Sequence, residues 1–290
     1  MTFVAEEIAS QPRTWAQAAD LAGHHADALP APGERVAVVG CGTSWFMAQS
    51  YAALREAAGQ GETDAFAASQ MPAGRRYDRV IAITRSGTTS EVCELLEHLD
   101  TTTVAIVGEP GTPATRLATH GIEMPFADEK SVVQTRYATS ALALLRAHLG
   151  EDLTAAIKDA ETAVDAEPPL NLDTLEQVTF LGDGWTVGLA HEAGLKMREA
   201  ATFWTESYPA MEYRHGPISI TGPDRAAWMF GPAPEGLEAQ VTATGGRFIT
   251  GDLDPMAELV RAQRLAVAMA EHRGLDPDSP RHLTRSVILP

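Results

Sequence analysis

Short β-branched runs alternate with helix-forming stretches through most of this chain, and that alternation restricts it to parallel sheets covered by helices. Strands are expected at 35–39, 80–84, 103–107, 178–181, 226–230 and 246–249, and helices at 45–58, 90–99, 135–149, 153–164, 186–201 and 255–273. The run Glu167-Pro168-Pro169-Leu170-Asn171 breaks the rhythm, because paired prolines cannot continue a helix. Past it the chain reopens as it began. Gly40, Gly42 and Ala48 recur as Gly182, Gly184 and Ala190 at one constant offset of 142 residues, which predicts an internal duplication. The chain therefore reads as an α/β protein of two tandem doubly wound units, 1–166 with a helical N-terminal segment and 172–290 with a C-terminal tail.

Composition narrows the function. At 290 residues and 44% hydrophobic content the chain can bury a sizeable core. Its 22 Lys+Arg against 39 Asp+Glu give a formal charge of −17, a field that repels nucleic acid and anionic membranes. The N-terminus carries Glu6 and Glu7 where a signal peptide needs basic residues, and no apolar run reaches the ~18 residues of a membrane span. A cytoplasmic protein is expected. Cys41 and Cys93 are the only cysteines and form no C-x-x-C or zinc-type cluster, so reduced thiols and no structural metal are expected.

In doubly wound folds ligands bind beyond the carboxyl ends of the strands. The first such loop, Gly40-Cys41-Gly42-Thr43-Ser44, sets glycines, hydroxyls and free N–H groups at a helix start, which suits a phosphate. It is a poor dinucleotide fingerprint, since Trp45 stands where the third glycine belongs, and it lacks a Walker ending. A tight turn capped by hydroxyls explains it equally well. The second loop, Thr84-Arg85-Ser86-Gly87-Thr88-Thr89-Ser90, groups five hydroxyls around one glycine, enough to ring an anion without fixed cations, and Arg85 adds a candidate charge-assisted contact. The plainer alternative is a polar loop with Ser90 as helix cap.

The second half offers acid/base candidates. Leu195 stands where H-E-x-x-H needs its second histidine, which rejects a zinc protease. Glu192, Lys196 and Glu199 recur at i, i+4 and i+7 on one helical face, as either an acid/base centre or a solvated ion-pair stripe. His215, held between Arg214 and the Gly216-Pro217 turn, suits proton relay or a purely structural role.

Taken together these segments resemble the sugar isomerase (SIS) domain family, in particular double-SIS proteins such as the isomerase half of glucosamine-6-phosphate synthase and related amino-sugar-phosphate deaminases. The marks run in order along the chain: Glu7-Ile8 with Gln11-Pro12, Cys41-Gly42-Thr43-Ser44, Ser86-Gly87-x-Thr89, and Glu129 to Arg136. They continue with Glu192-x-x-x-Lys196-x-x-Glu199, Glu212-x-x-His215-Gly216-Pro217 and Pro280-Arg281-x-Leu283-x-Arg285-Ser286-Val287. The resemblance implies two flavodoxin-like αβα units and a site without metal or organic cofactor. Thr43, Ser44, Thr84, Ser86 and Thr89 would hold a sugar phosphate, with Cys41, Gly42, Arg85, Glu192 and Arg285 beside it and Val132 and Gln134 lining the sugar. Glu199 would move a proton between C1 and C2, Lys196 would orient it, and His215 from the neighbouring subunit of a homodimer would assist ring opening.

The departures bear on activity. The glutaminase half of the synthase is not found, which argues against glutamine-dependent synthesis. Arg285 stands where the synthase has a Schiff-base lysine, and a guanidinium cannot deprotonate to attack a carbonyl. Thr88 replaces an acid and Arg85 a glutamine. The expected function is a phosphosugar isomerase or deaminase acting on an amino-sugar phosphate such as glucosamine 6-phosphate. The alternatives are a non-catalytic sugar-phosphate-binding regulator and a fructosamine-phosphate deglycase.

Overall fold

The computed structural model describes residues 2–289. Two helices open the chain, α1 (Phe3–Ala9) and α2 (Gln11–His24). The first half then runs β1 (Val36–Gly40), α3 (Thr43–Ala57), β2 (Thr63–Ala67), β3 (Arg79–Ile83), α4 (Ser90–His98), β4 (Thr102–Val107), α5 (Pro113–Leu117), β5 (His120–Glu123), α6 (Arg136–His148) and α7 (Thr154–Ala163). The second runs β6 (Gln177–Gly182), α8 (Thr186–Ala201), β7 (Thr205–Pro209), α9 (Ala210–Tyr213), β8 (Arg225–Met229), α10 (Leu237–Ala243), β9 (Arg247–Ile249) and α11 (Pro255–His272).

All strands are parallel, in two sheets of order β2-β1-β3-β4-β5 and β7-β6-β8-β9. In each, the order reverses beside the first strand, so the loops after β1 and β3 meet at one switch point and those after β6 and β8 at another. The offset of 142 extends into the pairing register: Val36 pairs with Thr63 as Val178 pairs with Thr205. The cause of the repeated glycine is steric. A Cβ on Gly40 would lie 2.6 Å from the Ser44 carbonyl carbon, and one on Gly182 would lie 2.4 Å from that of Thr186. Only a glycine lets the helix start that close to the strand end.

Alternation along the strands assigns the cores. Val36 and Val38 face a central cluster, while Ala37 and Val39 pack with Val80, Ala82, Val92 and Leu96 on the opposite face of the first sheet. The second sheet contributes Val178, Phe180 and Trp228 to the central cluster and packs Leu181 and Met229 against Tyr213 and Val241 on its far side. One continuous apolar core thus joins the two sheets through α3, α6, α8 and α11, with α3 lying against α8. Among the described residues no helix is long and apolar enough to cross a membrane.

The strands that sequence patterning missed are β2, β5 and β7, all at sheet edges. The 208–217 segment, expected as loop, begins inside β7.

Candidate active site

The switch point of the first sheet brings both hydroxyl-rich loops together. Cys41, Ser44, Thr84, Arg85, Ser86 and Thr89 line a small pocket of about 30 Å³, joined by Gln134 and Arg285. Gly42 starts α3 with φ +53°, and Gly87 (φ +61°) permits the second loop's turn, where a Cβ would collide with the Thr112 side chain. Thr84 is pinned from behind: its N–H donates to the Ile106 carbonyl (3.0 Å) and to the Tyr137 hydroxyl (3.1 Å), which itself donates to that carbonyl. Ser44 and Thr84 therefore present hydroxyls that bond to no described residue, and the buried Gln134 Oε1 is likewise unpartnered. Free donors and acceptors converging on a strand-end pocket suit a polar ligand.

The marks at Glu7 and Glu129 prove to be supports for this pocket. Glu7 accepts from the Ser131 N–H and hydroxyl, and Glu129 Oε1 accepts from the N–H groups of Thr135 (2.6 Å) and Arg136 (2.8 Å) at the start of α6. Together they fix the 129–135 loop that carries Gln134.

Of the three expected residues on α8, Glu192 and Lys196 are buried and Glu199 is partly buried, which excludes a solvated stripe. Glu192 is 0% exposed and Lys196 1%, whereas the Glu199 side chain retains 19%. Lys196 Nζ donates to Glu199 Oε2 and to Thr43 Oγ1 (3.0 Å), so it ties α8 to the first residue of α3. Its distance of 3.4 Å to Glu192 Oε1 is ion-pair range without hydrogen-bond geometry, and both Glu192 oxygens lack a hydrogen-bond partner. Burial pushes the Glu192 carboxyl up to about 8; Lys196 counteracts this and Glu199 reinforces it. For Lys196, burial acts against the ammonium, but the facing carboxylates outweigh it and hold its pKa above the ordinary lysine value. Burial thus favours the protonated form of Glu192, while Lys196 pairs with Glu199, the more exposed of the two carboxyl groups.

Other expected residues sit differently. The buried Arg85 guanidinium turns away from the loop hydroxyls and donates to the carbonyls of Ser131 (2.8 Å), Val132 (3.3 Å) and Arg285 (2.9 Å), 3.7 Å from Glu129. Val132 meets Arg85 through its carbonyl and is absent from the pocket wall. The Arg285 guanidinium is committed to Asp128 (2.7 Å), Glu109 (3.4 Å) and the Glu129 carbonyl. Glu192 is wholly buried and does not line the pocket. His215 is exposed on the turn after α9 and neither lines the pocket nor bonds to the α8 residues. Burial raises the Cys41 thiol, with Glu91 adding to it. Ser286, quoted in the sequence only as part of the tail, lies within bonding distance of Ser86 and Thr88. A larger open depression between the 167–172 segment and α11 is lined by Glu167, Leu170, Leu172, Arg264, Glu271 and His272 and contains none of the expected site residues.

The SIS domain family matches residues 31–149, the stretch containing both pocket loops. Over the longer chain, a glutamine–fructose-6-phosphate aminotransferase (isomerizing) from Xanthomonas campestris is 26% identical across 99% of this chain but only 59% of its own length. The chain spans about three fifths of that relative. Among solved structures, glucosamine-6-phosphate deaminase from Thermotoga maritima superposes with a TM-score of 0.86 at 21% identity, covering 99% of this chain and all of that one. Tagatose-6-phosphate ketose/aldose isomerase from Escherichia coli gives 0.78 at 17% identity, covering 98% and 97%. These likenesses establish that the fold around the SIS domain is shared across nearly the whole chain.

Proposed function

We propose that this protein is a phosphosugar isomerase or deaminase that moves a proton between C1 and C2 of an amino-sugar phosphate such as glucosamine 6-phosphate. The observation that carries the reading is the link from Lys196 to Thr43, which sets the accessible Glu199 carboxylate beside the first anion loop. On this reading the chain is two tandem SIS-type units, 1–166 and 172–290, the first holding the phosphate and the second supplying the base. Names of the relatives agree with that chemistry, each acting on a hexose phosphate.

Ser44, Thr84, Ser86 and Thr89 hold the phosphate through hydroxyls, and Gln134 faces the sugar. With the ring open, Glu199 takes the C2 proton of the 2-amino aldose, and the electron pair moves to give the enaminol as O1 gains a proton. Return of a proton to C1 gives the 2-imino ketose phosphate, which water hydrolyses to fructose 6-phosphate and ammonia. Lys196 holds the carboxylate in place. Because His215 lies outside the pocket of its own chain, its part in ring opening requires a second copy, and the active species is a homodimer with shared sites.

The test is proton exchange in deuterated water at C1 and C2 of glucosamine 6-phosphate and fructose 6-phosphate, followed by NMR together with ammonia release. Glu199→Gln is expected to slow exchange by about 10³-fold, the usual scale for a general base. Exchange that survives in this variant overturns the role of Glu199. Mixing Glu199→Gln with His215→Ala should restore about a quarter of wild-type activity through mixed dimers. If the mixture stays inactive while each variant folds, the shared site fails.

A further inference from the structure

The segment 284–289 crosses the second pocket loop, and its contacts are polar. The Ser286 hydroxyl lies 3.1 Å from Ser86 Oγ, 2.9 Å from Thr88 Oγ1 and 3.5 Å from Thr89 Oγ1. Thr88 Oγ1 is in turn 3.0 Å from Ser86 Oγ, so four hydroxyls form one closed cluster. On either side the segment is tied to the start of α4: the Ser90 N–H donates to the Val287 carbonyl (3.1 Å) and the Leu289 N–H donates to Ser90 Oγ (2.8 Å). Arg85 holds the Arg285 carbonyl, and the Arg285 side chain reaches Asp128 and Glu109. By contrast, Val287, Ile288 and Leu289 are 53%, 70% and 52% exposed. The segment buries little apolar surface, so its hold on the loop consists of a few hydrogen bonds that an incoming ligand can replace.

We propose that Ser286 is a displaceable occupant of the anion cradle, so that a phosphate binds only by expelling its hydroxyl from the ring of Ser86, Thr88 and Thr89. This rests on the reading of those loops as a phosphate site. The physical basis is the strength of the competing bonds. Hydroxyl–hydroxyl contacts are neutral, whereas a phosphate oxygen accepts charge-assisted bonds of about twice the strength. Displacing Ser286 costs every ligand the same amount, and a dianionic group recovers it where a neutral sugar hydroxyl does not. Arg85 is the positioning residue: its guanidinium bonds to none of the ring hydroxyls, but through the Arg285 carbonyl it keeps the segment at the loop so that Ser286 returns when the site empties. The small pocket volume follows from the same arrangement, because Ser286 fills the space between the hydroxyls.

The experiment is calorimetric titration of inorganic phosphate into wild-type protein, Ser286→Ala and Ser44→Ala, with hydrogen–deuterium exchange of the Ser90 and Leu289 amides measured with and without phosphate. Removing the competing hydroxyl should tighten phosphate binding about fivefold, the equivalent of one net hydrogen bond, and phosphate should speed exchange at both amides in wild-type protein. Phosphate binding that Ser44→Ala weakens but Ser286→Ala leaves unchanged, or weakens as well, overturns the displacement while leaving the cradle intact. Amides that stay protected on binding overturn it too. If neither wild-type protein nor Ser286→Ala binds phosphate, both the displacement and the cradle fall.

Discussion

The two halves of the molecule repeat one strand–helix–strand unit and use it for different purposes. In the first, Ser44 at the start of α3 offers an unbonded hydroxyl to a pocket. Its counterpart 142 residues on, Thr186, has spent its hydroxyl internally, donating to the Phe230 carbonyl (2.9 Å) and accepting from the Asp183 N–H (2.8 Å). The loop after β3 holds four hydroxyls before Ser90 opens α4, whereas the loop after β8 begins Phe230-Gly231-Pro232-Ala233-Pro234 and holds none. Along the helices the distribution reverses: Glu192, Lys196 and Glu199 of α8 correspond to Ser50, Leu54 and Ala57 of α3. Because α3 packs on α8, the half that kept the hydroxyls and the half that gained the charges meet at Thr43 and Lys196. On the proposed function, the packing of α3 on α8 lets one site draw on both halves.

The largest effect that can break this contrast is expected at Lys196. Lys196→Ala leaves a buried void and takes the ammonium partner from Glu199 and Glu192, which typically costs about 3 kcal/mol or more. Leu54→Ala at the matching place on α3, half-buried, should cost about 1–2 kcal/mol. Thermal unfolding of both variants checks the pair, and equal losses would mean that the charges on α8 are no more demanding than an ordinary apolar contact. Next comes pH. The folded protein holds the Glu192 proton up to about 8, whereas the unfolded chain releases it near the ordinary value of 4.5. Between those values the folded state binds more protons, so raising the pH destabilises it. Wild-type protein should therefore lose up to a few kcal/mol relative to Glu192→Gln as pH rises from about 4.5 to 8, and no more beyond. Ser50→Ala, the uncharged counterpart, should show a difference from wild type that does not vary over that window. A pH-independent gap for Glu192→Gln would place the proton elsewhere.

How much of this was legible in the sequence divides along the same physical lines. Interior strands such as β1, β4 and β6 are buried on both faces and read as continuous apolar runs. The edge strands β2, β5 and β7 carry Asp64, Glu123 and Glu206 with mostly half-exposed or exposed residues, and β7 ends in Pro209, so nothing in them alternates clearly. The hydroxyl loops were visible because their residue density is local. The burial of the α8 charges was not, since i, i+4, i+7 spacing is the same for a solvated stripe, and only the packing of α3 across α8 decides it. The partners of Arg85 are hidden for a related reason: its loop position suggests an anion contact, but the carbonyls it bonds lie 46 to 200 residues away. Ser286 reaches the loop across a separation of about 200 residues, which no local pattern encodes.

Smaller effects sharpen the contrast further. Gly40→Ala and Gly182→Ala force equivalent collisions with a helix start and should each cost about 1–3 kcal/mol. Only Gly40→Ala should also weaken phosphate binding, because only its helix carries a pocket residue. Loss of binding in both would mean that the second switch point takes part in the site.

The finest test exchanges stability for binding at matched hydroxyls. Ser44→Ala removes a hydroxyl with no partner among the described residues, so the melting temperature should hardly change while phosphate affinity falls about fivefold, one net hydrogen bond. Thr186→Val removes a hydroxyl engaged on both sides, so it should cost about 1–2 kcal/mol of stability and leave phosphate affinity alone. Calorimetric titration and thermal unfolding on the two variants give four numbers whose pattern is fixed in advance. A Ser44 variant that is destabilised, or a Thr186 variant that binds poorly, would show that the two copies have not separated their roles, and the assignment of the anion to the first half would have to be abandoned.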